Sequence, residues 1–252
     1  MFKLKFYVKQ LSREDVTLTA YIPETSKEMP WMDKRPAMLV IPGGAYMFCS
    51  DREAEPIALA YAAKGYNAYV LRYSIGKGKA KFPAPLEDAE EAMDFIIANA
   101  EEDYTDVSKI AAIGFSAGGH LCAALATMGR VKPAAAVLVY PCILESMSRI
   151  LAEPIPSLDG KVDSSTPPAF ITSAAADDCV PIENSLAYAT ALAKAGVPFE
   201  MHIYERGYHG YSLADRVVYD KETALYVEHI KPWFDLSVRW LDERFGMVKL
   251  KK

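Results

Sequence analysis

The sequence feature that most constrains the fold is a G-x-S-x-G pattern, in which Gly114, Ser116 and Gly118 hold the fixed positions. It directly follows the apolar run 110–113 and precedes a stretch of small residues at 121–128. A strand that turns sharply into a helix forces the turn residue into a strained conformation. The flanking positions must then be glycine, because a side chain there would collide with the neighbouring strand or helix. The pattern therefore predicts that the Ser116 hydroxyl stands clear of a sheet.

A bare G-x-S-x-G pattern also arises by chance, and the alternative interpretation is an ordinary turn of glycine and serine. The strand before it and the helix after it favour a nucleophilic serine. The same geometry aims the backbone amide of Ala117, at the helix N-terminus, at the space in front of the Ser116 hydroxyl.

Composition limits both the architecture and the partners. The chain has 252 residues, of which 51% are hydrophobic, and this suits one large α/β domain over 1–252. Its net charge of −5 argues against nucleic acid or an anionic membrane as a partner. No apolar run approaches the roughly 20 residues of a membrane span, and the N-terminus lacks the apolar core of a signal peptide. We therefore expect a cytoplasmic protein.

The four cysteines show neither paired spacing nor an accompanying histidine cluster, so free thiols are expected and a metal site is not. They are Cys49, Cys122, Cys142 and Cys179.

Two kinds of periodicity divide the chain. Alternating residues over 3–9 and 16–22 predict an antiparallel hairpin with one exposed face. Beyond it, apolar runs alternate with helical patterns, which predicts a mostly parallel sheet flanked by helices, with the hairpin at one edge. The expected strands cover 37–41, 67–71, 109–113, 134–140, 169–172 and 199–204. The expected helices cover 52–63, 86–100, 121–128, 182–195 and 221–245, the last with a break before Pro232.

One segment, 141–168, does not fit this alternation, because it holds five prolines and little periodicity. It follows a strand end on the side where α/β sheets bind ligands. A short lid or pocket wall and a solvated surface excursion are both open interpretations.

A nucleophilic serine requires a general base, which is usually a histidine oriented by a carboxylate. Of the four histidines, His209 alone lies in a glycine-flanked loop after a predicted strand, at 207–210. We therefore predict His209 as the base. The other three lie in predicted helices or a strand, where packing or surface roles are favoured: His120, His202 and His229.

Two adjacent aspartates follow the strand 169–172, and only one of them can orient His209. Asp178 is nearer the next helix, so its expected role is an N-cap. Asp177 is nearer the strand end. With it, the chain order Ser116, Asp177, His209 is the order typical of this strand–turn–helix nucleophile.

The oxyanion of an acyl-transfer intermediate needs two amide donors. One is Ala117, and the other is predicted to be Gly44 or Ala45, in the loop that follows the first long buried strand. Adjacent glycines there leave the amides accessible to a ligand. A plain tight turn is the alternative interpretation of this loop.

Several motifs in combination resemble one family. They cover about 37–213 and are Pro42-Gly43-Gly44-Ala45-Tyr46, Arg52-Glu53-Ala54, Gly65-Tyr66-Asn67-Ala68, 114–120, 180–185 and 207–210. The chain is similar to small bacterial α/β-hydrolases of the acetylxylan esterase and feruloyl esterase branch, related to hormone-sensitive-lipase-like esterases. It departs from them at Ala45, where a third glycine is usual, and at Ile41-Pro42, where a histidine usually leads the loop.

The resemblance implies an α/β-hydrolase fold without a large cap, and it implies that Asp177 is the acid. It also implies serine carboxylester hydrolysis of acyl groups, with acetyl on xylo-oligosaccharides as the favoured substrate and no cofactor. A feruloyl esterase or a general short-chain carboxylesterase is the alternative, and a serine peptidase or a non-catalytic binding module is more remote. The partner is then an ester of a small molecule or an oligosaccharide, and a homo-oligomer remains open. We also expect Tyr46, Tyr140 and Tyr208 to line the substrate pocket.

Overall fold

A computed structural model describes residues 3–247, and within them eight strands form one sheet in the order β1-β2-β4-β3-β5-β6-β7-β8. The strands are β1 (Leu4–Gln10), β2 (Thr17–Pro23), β3 (Arg35–Ile41), β4 (Asn67–Arg72), β5 (Thr105–Phe115), β6 (Ala135–Val139), β7 (Ala169–Ala174) and β8 (Phe199–Tyr204). The α-helices are α1 (Glu55–Ala63), α2 (Ala84–Ala98), α3 (Ser116–Met128), α4 (Glu183–Ala195), α5 (Lys221–Val227) and α6 (Pro232–Arg244).

The predicted hairpin is present at one edge of the sheet. β1 pairs antiparallel with β2, and β2 pairs antiparallel with β4, whereas the remaining pairs are parallel. The exposed face of β1 is the one that carries Leu4, Phe6 and Val8. On the opposite face, the Tyr7 ring packs against the core. The mixed sheet and the flanking helices confirm the predicted α/β-hydrolase architecture.

Helices cover both faces of the sheet. α2, α3 and α4 contribute side chains to the core on one face, and α1 and α6 contribute to the core on the other. Every residue of β3 is buried, which explains why its sequence over 37–41 is a continuous apolar run and not an alternating one.

Most element boundaries lie close to those expected. β5 continues to Phe115 and α3 begins at once at Ser116, five residues earlier than the small-residue stretch indicated. A short 3₁₀ helix, Asp51–Glu53, precedes α1. The C-terminal helix is interrupted before Pro232 as predicted, and α4 ends at Gly196, whose φ is +69°.

The proline-rich segment 141–168 packs against the body of the protein and is not a solvated excursion. Met147 and Leu158 are buried in the core. The backbone amide of Ala152 donates to the carbonyl of Ala45 at 2.9 Å. The segment therefore lies directly over the loop that follows β3.

The parallel strands β3, β5, β6, β7 and β8 end at the same edge of the sheet, and the loops that leave these ends meet there. The candidate residues predicted from the sequence lie at this edge. No helix in the described part of the chain is long and apolar enough to cross a membrane.

Candidate active site

The turn from β5 into α3 holds Ser116 in the strained conformation that the sequence predicts, with φ at +52°. A Cβ at Gly114 would lie 2.2 Å from the carbonyl oxygen of Gly118, inside α3. A Cβ at Gly118 would lie 2.2 Å from the carbonyl oxygen of Ile41, at the end of β3. Both glycines are therefore required by the close approach of backbone to backbone.

The structure brings Ser116, His209 and Asp177 into one hydrogen-bonded chain. His209 Nε2 lies 2.8 Å from Ser116 Oγ, and His209 Nδ1 lies 2.8 Å from Asp177 Oδ2. Because an ionised carboxylate only accepts hydrogen bonds, the network assigns the proton to Nδ1 and leaves Nε2 to accept from the serine hydroxyl. This arrangement can deprotonate the serine and return the proton to a leaving group.

Asp177 is fixed by backbone amides as well as by the histidine. Its side chain is 1% exposed, and Oδ1 accepts hydrogen bonds from the amides of Cys179 and Val180, each at 2.9 Å. Two N–H donors hold the carboxylate in one orientation.

Asp178 does not have the role expected of it. Its side chain is exposed, and α4 starts with Ile182 at the N-cap position and no side-chain capping hydrogen bond. The expectation that Asp178 caps α4 is therefore wrong. The turn before α4 is instead tied to Asp177 by the amides of Cys179 and Val180.

The loop after β3 presents backbone amides to the same space. Gly44 and Ala45 have φ values of +123° and +56°, and both line the cavity at Ser116. No acceptor is paired with either amide within residues 3–247. Ala117 is the second residue of α3, where a backbone amide has no intrahelical partner. Among the described residues, the amides of Gly44 and Ala45 are thus unpaired beside Ser116, and the amide of Ala117 has no partner within α3.

The cavity in front of Ser116 is small, with a volume of about 190 Å³. Segment 141–168 contributes Ile150 and Leu151 to the lining of this cavity. The remaining lining residues are Gly44, Ala45, Phe48, Ser50, Arg52, Glu53, Ser116, Cys179, His209 and Gly210. Larger surface concavities lie along α4 and α5, but none of this machinery lines them.

The prediction that three tyrosines line the substrate pocket needs correction. Tyr46 and Tyr140 are each 1% exposed, and their hydroxyls are engaged by His120 and Glu53 behind the site. Tyr208 is exposed, but its ring stacks on Tyr226 and does not line the cavity. Tyr46 and Tyr140 therefore support the loops behind the site and do not wall the pocket.

His120 has the packing role that its helical position indicated. Nδ1 lies 2.9 Å from the Tyr46 hydroxyl and Nε2 lies 3.0 Å from the carbonyl oxygen of Pro156. Burial lowers the pKa of His120 to about 4, so the ring is neutral at pH 7. It links the loop after β3 to segment 141–168.

Sequence reasoning missed the apolar walls Phe48, Ile150 and Leu151, for which the sequence carries no distinctive signal. It also left Glu53 without a role, although this residue belongs to the Arg52-Glu53-Ala54 motif. Glu53 is 3% exposed and lies directly behind the loop after β3. The signal that could have identified Glu53 was its charge inside a motif, since the sequence gives this residue no role at the surface. Among the described residues, no group of His, Cys, Asp and Glu could hold a metal ion.

The sheet has eight strands, is mostly parallel and carries a serine at a strained strand–helix turn. A histidine follows the last strand and an aspartate follows the preceding one. This combination defines an α/β-hydrolase. Comparison with family models resolves the class further. The BD-FAE model matches residues 19–146, half of the chain, and the chain belongs to that family. A prolyl oligopeptidase family model matches residues 152–233, the part that carries Asp177 and His209.

Known relatives agree with this assignment. The chain is similar to MGS-M1, an α/β hydrolase enzyme from a Medee basin deep-sea metagenome library, with 46% identity and a TM-score of 0.89 over 96% of this chain and 98% of the other. It is 36% identical to endo-1,4-beta-xylanase B of Butyrivibrio fibrisolvens over 72% of this chain and 33% of the relative. It is 29% identical to an acetylxylan esterase of Xylanibacter ruminicola over 69% of this chain and 41% of the relative. The chain therefore spans well under half the length of these two curated relatives.

The contact at Gly118 gives a prediction about stability. Gly118→Ala should lower the free energy of unfolding by at least about 2 kcal/mol, because its methyl group would overlap two carbonyl oxygens that the sheet holds in place. Urea unfolding measures the change. Gly160→Ala is the matched control, since a Cβ there meets nothing within 4 Å, and it should behave like the wild type. Equal stability of the two variants would contradict the assigned contact.

Proposed function

We propose that this protein is a serine carboxylester hydrolase that removes short acyl groups, most favourably acetyl, from carbohydrate esters such as xylo-oligosaccharides. The observation that carries the proposal is the hydrogen-bonded chain from Ser116 through His209 to Asp177, which opens into a small cavity. The chemistry follows from the donors and acceptors around that cavity.

In the first half of the reaction, Ser116 Oγ attacks the ester carbonyl carbon while its proton passes to His209 Nε2. Asp177 accepts the hydrogen bond from Nδ1 and stabilises the imidazolium that forms. The carbonyl oxygen becomes an oxyanion, which accepts hydrogen bonds from the amides of Ala117 and of Gly44 or Ala45. His209 then protonates the leaving alcohol oxygen, and an acyl-Ser116 ester remains.

In the second half, His209 removes a proton from a water molecule that attacks the acyl-Ser116 carbonyl. The same amides stabilise the second oxyanion, and His209 returns the proton to Ser116 Oγ as the carboxylic acid leaves. No cofactor takes part in these steps.

The preference for a short acyl group rests on the cavity. About 190 Å³ with Phe48, Ile150 and Leu151 on its walls suits an acetyl group better than a long chain. The proposal that the alcohol part of the ester is a carbohydrate rests on the relatives, since one is named an acetylxylan esterase and another a xylanase. A feruloyl esterase or a general short-chain carboxylesterase would share all of the chemistry.

A serine peptidase is a second candidate because the prolyl oligopeptidase family model matches residues 152–233. Alanyl and prolyl p-nitroanilides test it alongside the esters. Hydrolysis of these amides faster than of p-nitrophenyl acetate would favour the peptidase.

The first of three predictions from the proposed function concerns the nucleophile. Ser116→Ala should lower kcat for p-nitrophenyl acetate by several orders of magnitude, because it removes the attacking oxygen and little else. Thermal unfolding should show that the variant is folded, and Ser164→Ala, an exposed serine, is the control that should keep wild-type rates. If Ser116→Ala retains more than about a tenth of wild-type turnover, the mechanism is wrong.

The second prediction concerns the acyl group. kcat/KM should fall steadily from p-nitrophenyl acetate to butanoate to octanoate, because each methylene that does not fit changes binding by about 1–3 kcal/mol. Leu151→Ala should raise the ratio of octanoate to acetate hydrolysis by enlarging the cavity, whereas Leu186→Ala, on the exposed surface of α4, should leave it unchanged. Acetylated xylo-oligosaccharides and methyl ferulate, assayed in parallel, distinguish the carbohydrate esterase from its alternatives. Octanoate as the best substrate of the wild type would contradict the short-acyl proposal.

The third prediction separates the two adjacent aspartates. Asp177→Asn should lower kcat by up to about 10⁴-fold, as in the analogous serine protease substitution, because an asparagine side chain favours the wrong histidine tautomer. Asp178→Asn should stay within a few fold of the wild type, because its side chain is exposed and Asp177 alone reaches the ring. A severe loss in Asp178→Asn and none in Asp177→Asn would reverse the assignment.

A further inference from the structure

Glu53 is a second buried carboxylate at the site, and the reaction described above does not use it. Its side chain is almost fully enclosed, yet both oxygens are hydrogen-bonded. Oε2 accepts from the amide of Gly43 at 2.8 Å, and Oε1 accepts from the Tyr140 hydroxyl at 2.7 Å. Gly43 directly precedes Gly44 and Ala45, so one oxygen of Glu53 holds the loop that supplies the oxyanion donors.

The other oxygen reaches the histidine loop through Tyr140. The Tyr140 hydroxyl accepts a hydrogen bond from the amide of Ser212 at 3.0 Å, and the Ser212 hydroxyl donates to the Arg52 carbonyl at 2.5 Å. The Tyr140 ring also packs edge-on against the His209 ring, with centroids 4.9 Å apart. Glu53 is therefore connected to both sides of Ser116.

The fit around Glu53 leaves little freedom. A Cβ at Gly43 would lie 2.6 Å from Oε2, so the loop rests directly on the carboxylate. A Cβ at Gly210, next to His209, would be in ordinary van der Waals contact with Oε1, at 3.8 Å. A change in the size of the Glu53 side chain therefore acts directly on the Gly43 loop and reaches the His209 loop through Tyr140.

The charged and titratable groups that face Glu53 come from several elements. Arg52 lies on the same 3₁₀ helix, and His209, Tyr73, Tyr140 and Tyr219 face it from other loops. Burial raises the pKa of the Glu53 carboxyl, while the hydrogen bonds from Tyr140 and Gly43 and the positive charges of His209 and Arg52 act in the opposite direction. Asp177 is the other anion near His209.

We propose that Glu53 is a positioning residue for ester hydrolysis: its carboxylate fixes the Gly43–Ala45 loop and the His209 loop relative to each other. The inference rests on the proposed function. It assigns to one side chain a geometric effect that reaches one loop through Gly43 and the other loop through Tyr140.

Glu53→Gln tests the carboxylate, because glutamine keeps the size and can accept the Gly43 amide with its oxygen, whereas its amide nitrogen cannot accept the proton of the Tyr140 hydroxyl. The contact with the Gly43 loop is then kept and the contact with Tyr140 is lost. kcat should therefore fall about 10-fold with little change in KM.

Tyr140→Phe tests the geometry, because it keeps the Glu53 charge and breaks the link to Ser212. kcat should fall about 10-fold with little change in KM. This variant also keeps the proposal testable if Glu53→Gln is found unfolded by thermal melting.

Glu55→Gln is the matched charge control. Glu55 lies two residues away, but it is partly exposed and pairs with Arg72 and not with the site. Its kcat and KM should be those of the wild type, because its charge is screened by solvent and it pairs with Arg72. An equal loss of kcat in Glu53→Gln and Glu55→Gln would overturn the proposal. Wild-type kcat in Tyr140→Phe would also overturn it. Failure of the proposed function is distinct, since it would appear as activity that survives Ser116→Ala.

Discussion

The rest of the structure depends on the backbone contact between the start of α3 and the ends of β5 and β3. Gly114 and Gly118 let three segments approach within a distance at which no side chain fits. This contact forces Ser116 into a positive φ and projects its hydroxyl from the sheet edge. It also fixes the start of α3 beside the loop after β3, so that the amides of Ala117 and Ala45 can face the same point. A looser contact would separate Ser116 from the amides of the loop after β3.

Parallel pairing then brings the remaining groups to the same edge. β5, β7 and β8 run in one direction, so the residues that follow their carboxyl ends meet, although Ser116 and His209 are 93 positions apart. The chain supplies the chemistry from loops and the geometry from strands. Segment 141–168, which follows β6, forms part of the cavity lining, because it places Ile150 and Leu151 beside Ser116.

What the sequence could predict depends on how local the physical signal is. The strand–turn–helix at Ser116, the glycine-flanked loop of His209 and the period-two hairpin each leave a local pattern, and the structure brings Ser116, Asp177 and His209 together as expected. The pocket walls could not be predicted, because Ile150 and Leu151 look like any other apolar residues until a long loop folds back on the sheet. Tyr46 and Tyr140 were misplaced for the same reason: which way a buried ring points depends on partners distant in sequence, such as His120 and Glu53. Asp178 failed as a helix cap because Asp177 accepts the amides of the turn before α4.

Backbone strain within the described residues is concentrated around the site. Seven non-glycine residues in the described part of the chain have a positive φ, and of these only Tyr104 lies away from the site. The other six lie at or around it: Ala45, Tyr46, Ser116, Tyr140, Ser212 and Ala214. Each such conformation costs on the order of 1–3 kcal/mol and persists only where neighbouring contacts over-determine it. Glu53 provides such contacts, because it binds the loop that carries Ala45 and the hydroxyl of Tyr140, which in turn binds Ser212. A buried carboxylate that would destabilise an apolar core is, at this place, the group to which several strained loops are tied.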